Sequence, residues 1–358
     1  MTRIDLDSSP PRRILIIKPS ALGDVVHTLP VLSLLRRRWP QAHIAWLVGS
    51  AFAGLLRGHR QLDEIITFDR QRFGSGWWNI STAAELGRFL RQLRNRQFDL
   101  VIDLQGLLRS GVLSALSGAA MRVGFSNARE LAPLFYTHHV PIDSMEQHAI
   151  DRYLCITEAL GCGRAPIEFD FSIDPAEREQ VQTLVGDRGP YAVLLPGTNW
   201  PTKRWPAERF AELVGPLRRD LGLVSVIAGG ADAVPIAQEI RRLAADGDAG
   251  PLDLTGKTSL RQLVALLERA TLVIANDSGP MHIAAALGRP LVTIFGPTNP
   301  IRTGPYRRPD SVLRVQIPCS PCYSRRCSHI SCMRFLESPR VLEQAHSQIQ
   351  KLNHLMRP

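Results

Sequence analysis

Apolar residues along the chain cluster in short runs separated by polar stretches of helical period. RRILIIKP, HIAWLVG, DEIITF and FDLVIDLQG are rich in β-branched residues and read as strands. Between them, DVVHTLPVLSLLRRRW, SAFAGLLRG and STAAELGRFLRQLRNR carry apolar residues at helical spacing. Near-continuous apolar strands alternating with amphipathic helices predict a parallel sheet covered on both faces. After DPAEREQVQTLVGDRGP the alternation begins again. YAVLLPG, SVIAGG, LDLTG, TLVIAND and PLVTIFG are strand-like, and PAERFAELVGPLRRDLG, VPIAQEIRRLAA, SLRQLVALLERA and SGPMHIAAALG are helical. The pattern predicts two doubly wound α/β domains joined near Asp174 to Gly189, which suits a length of 358 residues. Ligands of such sheets bind outside the carboxyl ends of the strands, so two facing domains predict a cleft. SPRVLEQAHSQIQKLNHLMRP reads as a single terminal helix, and no short repeat interrupts the pattern.

Composition leaves this picture intact and adds a charge. Hydrophobic residues make up 44% and charged residues 21%, as in a globular protein with cores to bury. Forty-three lysines and arginines oppose 33 acidic residues, a net charge of +10 that favours an anionic partner. Phosphorylated sugars, nucleotides and an anionic membrane surface answer to the same field. A non-catalytic nucleic-acid-binding module rests on charge alone, since the arginines are dispersed and no binding motif accompanies them. No run has the length of a membrane span, and MTRIDLDSSPPRR lacks the apolar centre of a signal peptide, so a cytoplasmic location is expected. In that reducing compartment structural disulfides are not expected among the six cysteines.

Three stretches could carry chemistry. TLVIAND running into SGPMHIAAALG places Asp277, Ser278 and Gly279 at a strand end and a helix start, where backbone N–H groups and the helix dipole attract anions. His282 lies one turn further on. The plain alternative is that Asp277 or Ser278 only caps the helix. The loop PGTNWPTKRWP offers Thr198, Asn199, Lys203 and Arg204 as donors suited to a diphosphate; a solvated basic loop is the alternative. In KPSALGDVVHTLP, behind the first strand, one glycine and an aspartate stand where a phosphate-binding glycine-rich loop is often found. Asp24 there reads either as a general base or as the N-cap of a helix starting at Val25. The missing G-x-G-x-x-G also counts against a dinucleotide-dependent oxidoreductase, the rival reading for two such domains.

LGDVVHTLP, DLQGLLRSG, FYTHHV with QHAIDRY, PGTNWPTKRWP, NDSGPMHIAAALG and IFGPTNP, in that order, resemble the lipopolysaccharide heptosyltransferases of glycosyltransferase family nine from about Ile14 to the last helix. The resemblance implies a GT-B architecture of two Rossmann-like domains: an acceptor-binding domain over 1–180, a nucleotide-sugar-binding domain over 181–340, and a helix over 341–358 packing back on the first domain. It implies transfer of heptose from ADP-heptose to Kdo-lipid A or heptosyl-Kdo-lipid A, with inversion and with no required cofactor. Asp24 matches the family's base and Lys203 its diphosphate lysine, while Asp277, Ser278, Gly279 and His282 match its diphosphate and heptose motif. In this setting sugar hydroxyls or backbone amides are the expected partners of Asp277. Asp232 is the carboxylate nearest the position where relatives bind the adenosine ribose.

Arg70, Arg72, Arg109 and Arg129 are expected to meet the acceptor's phosphates and carboxylates, and Trp77 with Trp78 the bilayer interface on the cytoplasmic face of the inner membrane; solvated arginines and packed tryptophans are the alternatives. Cys319, Cys322, Cys327 and Cys332, spaced C-x2-C-x4-C-x4-C, could hold a structural zinc with His329 as a substitute ligand. FYTHHV and QHAIDRY resemble the enzyme adding the first heptose and the cysteine-rich tail the one adding the second; the first is expected ahead of the second. A relative using another nucleotide sugar is the nearest alternative.

Overall fold

The computed structural model describes residues 4–69, 72, 80–142, 144–244 and 250–355. The chain forms two compact units, one ending at Ser172 and the other beginning at Ile173. Arg70, Trp77 and Trp78 lie outside the described residues.

The first unit is a parallel sheet of β1 (Arg13–Ile17), β2 (His43–Gly49), β3 (Glu64–Phe68), β4 (Leu100–Asp103), β5 (Met121–Phe125) and β6 (His138–Val140), in the order β3-β2-β1-β4-β5-β6. Its described helices are α1 (Leu22–Arg38), α2 (Ser50–Leu56), α3 (Ile80–Asn95), α4 (Leu108–Leu116) and α5 (Ala149–Ala159), single turns aside. Central β1 pairs Ile14 with Ile44 on one side and Leu100 on the other. Ile14 to Ile17 are all fully buried, which is why this strand has no polar face. Leu15, Ile17, Ala45, Leu47, Val101 and Leu93 form the core on one side of the sheet. On the same unit α1 packs against α5.

β5 contains a glycine for a specific reason. Gly124 pairs with Asp103 of β4, and a Cβ at Gly124 would come within 2.3 Å of the Tyr136 ring. The absent side chain lets Tyr136 reach across and donate its hydroxyl to Asp103 Oδ2 at 2.7 Å. Gly124→Ala is therefore expected to destabilise the protein by about 1–3 kcal/mol through overpacking, read as a lower midpoint in denaturant unfolding.

The second unit repeats the plan with β7 (Tyr191–Leu195), β8 (Val224–Ile227), β9 (Leu252–Asp253), β10 (Leu272–Asn276), β11 (Leu291–Phe295) and β12 (Val312–Arg314), in the order β12-β11-β10-β7-β8-β9. Around them stand α6 (Pro175–Val185), α7 (Ala207–Leu221), α8 (Val234–Leu243), α9 (Leu260–Arg269), α10 (Gly279–Ala286) and α11 (Ser338–Leu355). Helix α6, capped by Asp174, packs on α9, and Arg178 forks onto both carboxylate oxygens of Glu268 at 2.7 and 2.9 Å. Terminal α11 packs on α7, β10 and β11, burying Val341 and Ala345 in this unit's core. In each sheet the strand order reverses at one place, β1 against β4 in the first and β7 against β10 in the second. At such a point neighbouring loops diverge to opposite faces and leave a crevice at the carboxyl edge.

Candidate active site

At the β1/β4 crevice, Lys18 follows β1 directly and is buried, only 4% exposed. Its backbone is held between strands, N–H donating to Leu47 O and the carbonyl accepting from the Trp46 indole. Its ammonium donates to Leu104 O at 3.1 Å, stands 3.6 Å from Asp24 Oδ1 and lies 5.0 Å from the centre of the Tyr153 ring. Burial lowers the Lys18 pKa, while the carboxylates of Asp24 and Asp103 pull it back up.

Asp24 is not the N-cap that a helix start at Val25 would make it. The helix begins at Leu22 with Ala21 as N-cap, which puts Asp24 at the third helical position. Its Oδ2 accepts the Ala21 N–H at 3.0 Å and its Oδ1 the Tyr153 hydroxyl at 2.8 Å. The side chain remains 38% exposed, so it is braced but reachable. Tyr153 is buried, and burial together with Asp24 pushes its pKa well above the ordinary value, so its hydroxyl stays a donor. Two neutral donors and a nearby ammonium all favour the ionised carboxylate. Tyr153→Phe should lower turnover about tenfold through loss of this orienting bond and leave the donor KM unchanged, as steady-state kinetics would read.

Behind this group lies Asp103, fully buried. Burial raises its pKa, while Tyr136, Ser110 and the backbone N–H groups of Gly106 and Gln105 hold it down. Lys18, Asp103, Tyr136 and Tyr153 were not singled out by sequence reasoning. Lys18 opens the KPSALGDVVHTLP stretch, and the tyrosines sit inside FYTHHV and QHAIDRY, so position within a motif was the available signal.

At the β7/β10 crevice, Asn276 ties the two strand ends together. Its amide donates to Pro196 O at 2.8 Å and its Oδ1 accepts the Trp205 N–H at 3.2 Å. Thr198, also buried, donates to Asp277 O at 3.2 Å. The Asp277 carboxylate, 5% exposed, accepts the Thr298 hydroxyl at 2.6 Å and pairs with Lys203 Nζ at 2.6 Å. The charge of Asp277 is thus met from within the unit by Lys203 and Thr298, where sequence reasoning named sugar hydroxyls and backbone amides. Lys203 is itself 15% exposed, with its ammonium 4.6 Å from the centre of the Trp200 ring.

Ser278 holds the N-cap position of α10, yet its side chain makes no capping bond. Its hydroxyl oxygen is buried without a hydrogen-bond partner among the described residues. With Gly279 and Pro280 opening the helix, the N-terminus lacks a side-chain cap, as an anion site requires. His282 is buried one turn in. Asn199 is exposed at the head of the loop. Arg204 turns inward, donating twice to Thr198 O at 3.1 and 3.0 Å, and so braces the loop.

The remaining residues fall elsewhere. Arg72 is exposed and pairs with Glu85 at 2.8 Å, Arg109 is exposed in the first turn of α4, and Arg129 is exposed on the loop after β5. Asp232 is exposed in the short turn before α8. All four C-terminal cysteines are free thiols, Cys319, Cys322 and Cys327 exposed and Cys332 buried. Among the described residues no group of three or more His, Cys, Asp or Glu side chains is arranged to hold a metal ion. The cysteine segment lies along the Lys203 loop. The Thr202 hydroxyl donates to Ser324 O at 2.8 Å, and the Arg325 guanidinium stands 4.6 Å from the centre of the same Trp200 ring that Lys203 approaches.

Two six-stranded α/β units of this strand order, with polar groups gathered at the crevice of each, have the build of a GT-B glycosyltransferase. The sequence profile described as glycosyltransferase family 9 (heptosyltransferase) matches residues 86–332. Lipopolysaccharide heptosyltransferase 1 of Pseudomonas aeruginosa is 34% identical over 322 residues, covering 88% of each chain. Its counterpart in Escherichia coli K12 is 33% identical over 309 residues, 85% of this chain and 93% of its own. The solved structure of E. coli heptosyltransferase WaaC with ADP superposes with a TM-score of 0.76 at 30% identity, covering 94% of this chain and 99% of its own. WaaC with ADP-2-deoxy-2-fluoro heptose gives 0.74 at 29% identity, with 95% and 99% covered. The chain belongs to glycosyltransferase family 9, the heptosyltransferases, and its relatives place it in the synthesis of the lipopolysaccharide core.

Proposed function

We propose that the chain transfers L-glycero-D-manno-heptose from ADP-heptose to a Kdo-bearing lipid A, inverting the anomeric centre, with Asp24 as general base. The observation that carries this reading is the Asp24 carboxylate, hydrogen-bonded by the Tyr153 hydroxyl and the Ala21 N–H, 3.6 Å from the Lys18 ammonium and still open to solvent. Inversion is one displacement: the acceptor hydroxyl forms its bond to the anomeric carbon as the bond to the β-phosphate oxygen breaks. The hydroxyl becomes acidic as it attacks, so an ordinary carboxylate can take its proton. The electron pair of the broken bond passes to ADP, and the negative charge that grows there falls to Lys203, Ser278 and the open N-terminus of α10. Lys203 is poised for this because Asp277 and Trp200 fix its ammonium before any ligand arrives. Thr198, Asn199 and His282 complete the donor side, and Arg72, Arg109 and Arg129 contribute positive charge toward the acceptor. No cofactor takes part in the proposed reaction.

Relatives bearing the name heptosyltransferase 1 reach 34% identity, against 28% for the E. coli heptosyltransferase 2. This favours addition of the first heptose, on the cytoplasmic face of the inner membrane where a lipid-anchored acceptor is met. No described helix is long and apolar enough to cross a membrane. The test is transfer from ADP-heptose to Kdo-lipid A and, separately, to its heptosylated form. Product from the first acceptor is the expected result. Product only from the second reassigns the step, and product from neither, with another nucleotide sugar accepted, overturns the donor.

A further inference from the structure

Between β12 and α11 the chain returns to the carboxyl rim of the second sheet, where it is fastened to the loops that follow β7 and β11. At the β11 loop the Tyr323 N–H donates to Pro297 O at 2.7 Å and the Ser320 hydroxyl to Gly296 O at 2.7 Å, next to the Thr298 that holds the Asp277 carboxylate. Buried Cys332 packs against the same turn, since a Cβ at Gly296 would lie 2.9 Å from its Sγ. At the β7 loop the Thr202 hydroxyl donates to Ser324 O at 2.8 Å, one residue before Lys203. The Ser324 hydroxyl then donates to Arg326 O at 2.5 Å and closes the turn that carries Arg325.

The cations of the β7 loop are engaged within the protein. Lys203 pairs with Asp277 at 2.6 Å, so the two charges cancel, and Arg204 donates twice to Thr198 O. A nucleoside diphosphate brings several negative charges to such a site and needs positive charge that is not already matched. Arg325 supplies it. Its side chain is exposed, its guanidinium lies 4.6 Å from the centre of the Trp200 ring, and it has no hydrogen-bond or carboxylate partner among the described residues. The Lys203 ammonium lies at 4.6 Å from the same ring, so two cations share one indole. An anion bridging them relieves their repulsion, and the guanidinium fork matches two phosphate oxygens at once.

We propose that Arg325 is a further donor-binding residue, gripping the diphosphate of the nucleotide sugar from the cysteine-bearing segment while Lys203 and the N-terminus of α10 hold it from the sheet. The inference rests on the β7/β10 crevice being the donor site and deepens that reading: the charge that Asp277 takes from Lys203 is restored by Arg325. It also gives the cysteine-bearing segment a task, that of carrying the arginine to the donor lysine.

Calorimetric titration with ADP tests it without any transfer reaction. Wild type should bind ADP with an affinity that falls as salt is raised. Arg325→Ala should bind about tenfold or more weakly and with a flatter salt dependence. Arg325→Lys, which keeps the charge and loses the fork, should fall between the two. Arg326→Ala, also at an exposed position, removes the same net charge and should bind ADP as wild type does. The unfolding midpoint of Arg325→Ala should be unchanged, as for most exposed side chains. Wild-type affinity in Arg325→Ala, or an equal loss in Arg326→Ala, overturns the proposal and leaves the donor site standing. A lowered unfolding midpoint with unchanged salt dependence also overturns it, by making Arg325 a brace of the loop. The expected loss of ADP affinity in a protein that transfers no heptose would instead remove the proposed reaction and keep Arg325, and a wild type that binds no ADP would overturn both.

Discussion

Replacing Asp24 with asparagine lowers turnover by about 10²–10⁴-fold, the usual worth of a positioned general base. Asparagine keeps the size of the side chain and still accepts the Tyr153 hydroxyl, so the fold should hold. ADP affinity should stay within about twofold, because the donor groups belong to the second unit and the loss is one of transition-state stabilisation. The variant also removes the charge opposite Lys18, whose pKa burial already lowers and Asp24 helps to restore. Lys18 then sheds its proton more easily, with Asp103 as its remaining carboxylate. Single-turnover kinetics and calorimetric titration with ADP check both halves. Near-normal turnover would remove Asp24 from the reaction.

Lys203→Ala should be costly twice over. Loss of a fixed cation at the leaving diphosphate lowers turnover by about 10²–10³-fold, as for other preorganised donors. The same change leaves the Asp277 carboxylate, 5% exposed, with the Thr298 hydroxyl but without its ammonium. Breaking a buried pair from one side typically destabilises by about 3–5 kcal/mol. The double variant Lys203→Ala/Asp277→Asn separates the two effects. Its unfolding midpoint should recover toward wild type while turnover stays low. If activity returned together with stability, Lys203 would be a structural residue and the diphosphate would have to be held by other groups.

The alternation of apolar runs made both sheets legible because central parallel strands have no polar face, as β1 and β10 show. Interior β5 and the edge strands β6 and β12 were not singled out. β6 is three residues and β12 three residues, too short for periodicity to register, and β5 carries Arg122 and Gly124 in a run of five. Gly124 is explained only by the Tyr136 ring that occupies its place, a contact between segments that a linear pattern does not contain.

The site divides along the same line. Asp24, Lys203 and Ser278 were visible as residue types at strand ends, where the α/β plan puts ligands. What surrounds them was not. The Lys203–Asp277 pair joins two loops of the second unit, and Tyr153 approaches Asp24 from α5, so both depend on tertiary folding. The contacts that tie the cysteine segment to Thr202 and Trp200, beside the candidate donor lysine, are likewise tertiary and were not legible in the spacing.

The central claim is a single displacement with Asp24 removing the proton from the attacking hydroxyl, and the anomeric configuration of the product tests it most directly. Incubation of the full-length protein with ADP-L-glycero-β-D-manno-heptose and Kdo-lipid A, followed by nuclear magnetic resonance of the released oligosaccharide, should show an α-linked heptose. A β-linked heptose would mean retention, and with it a mechanism in which one base acting once has no place.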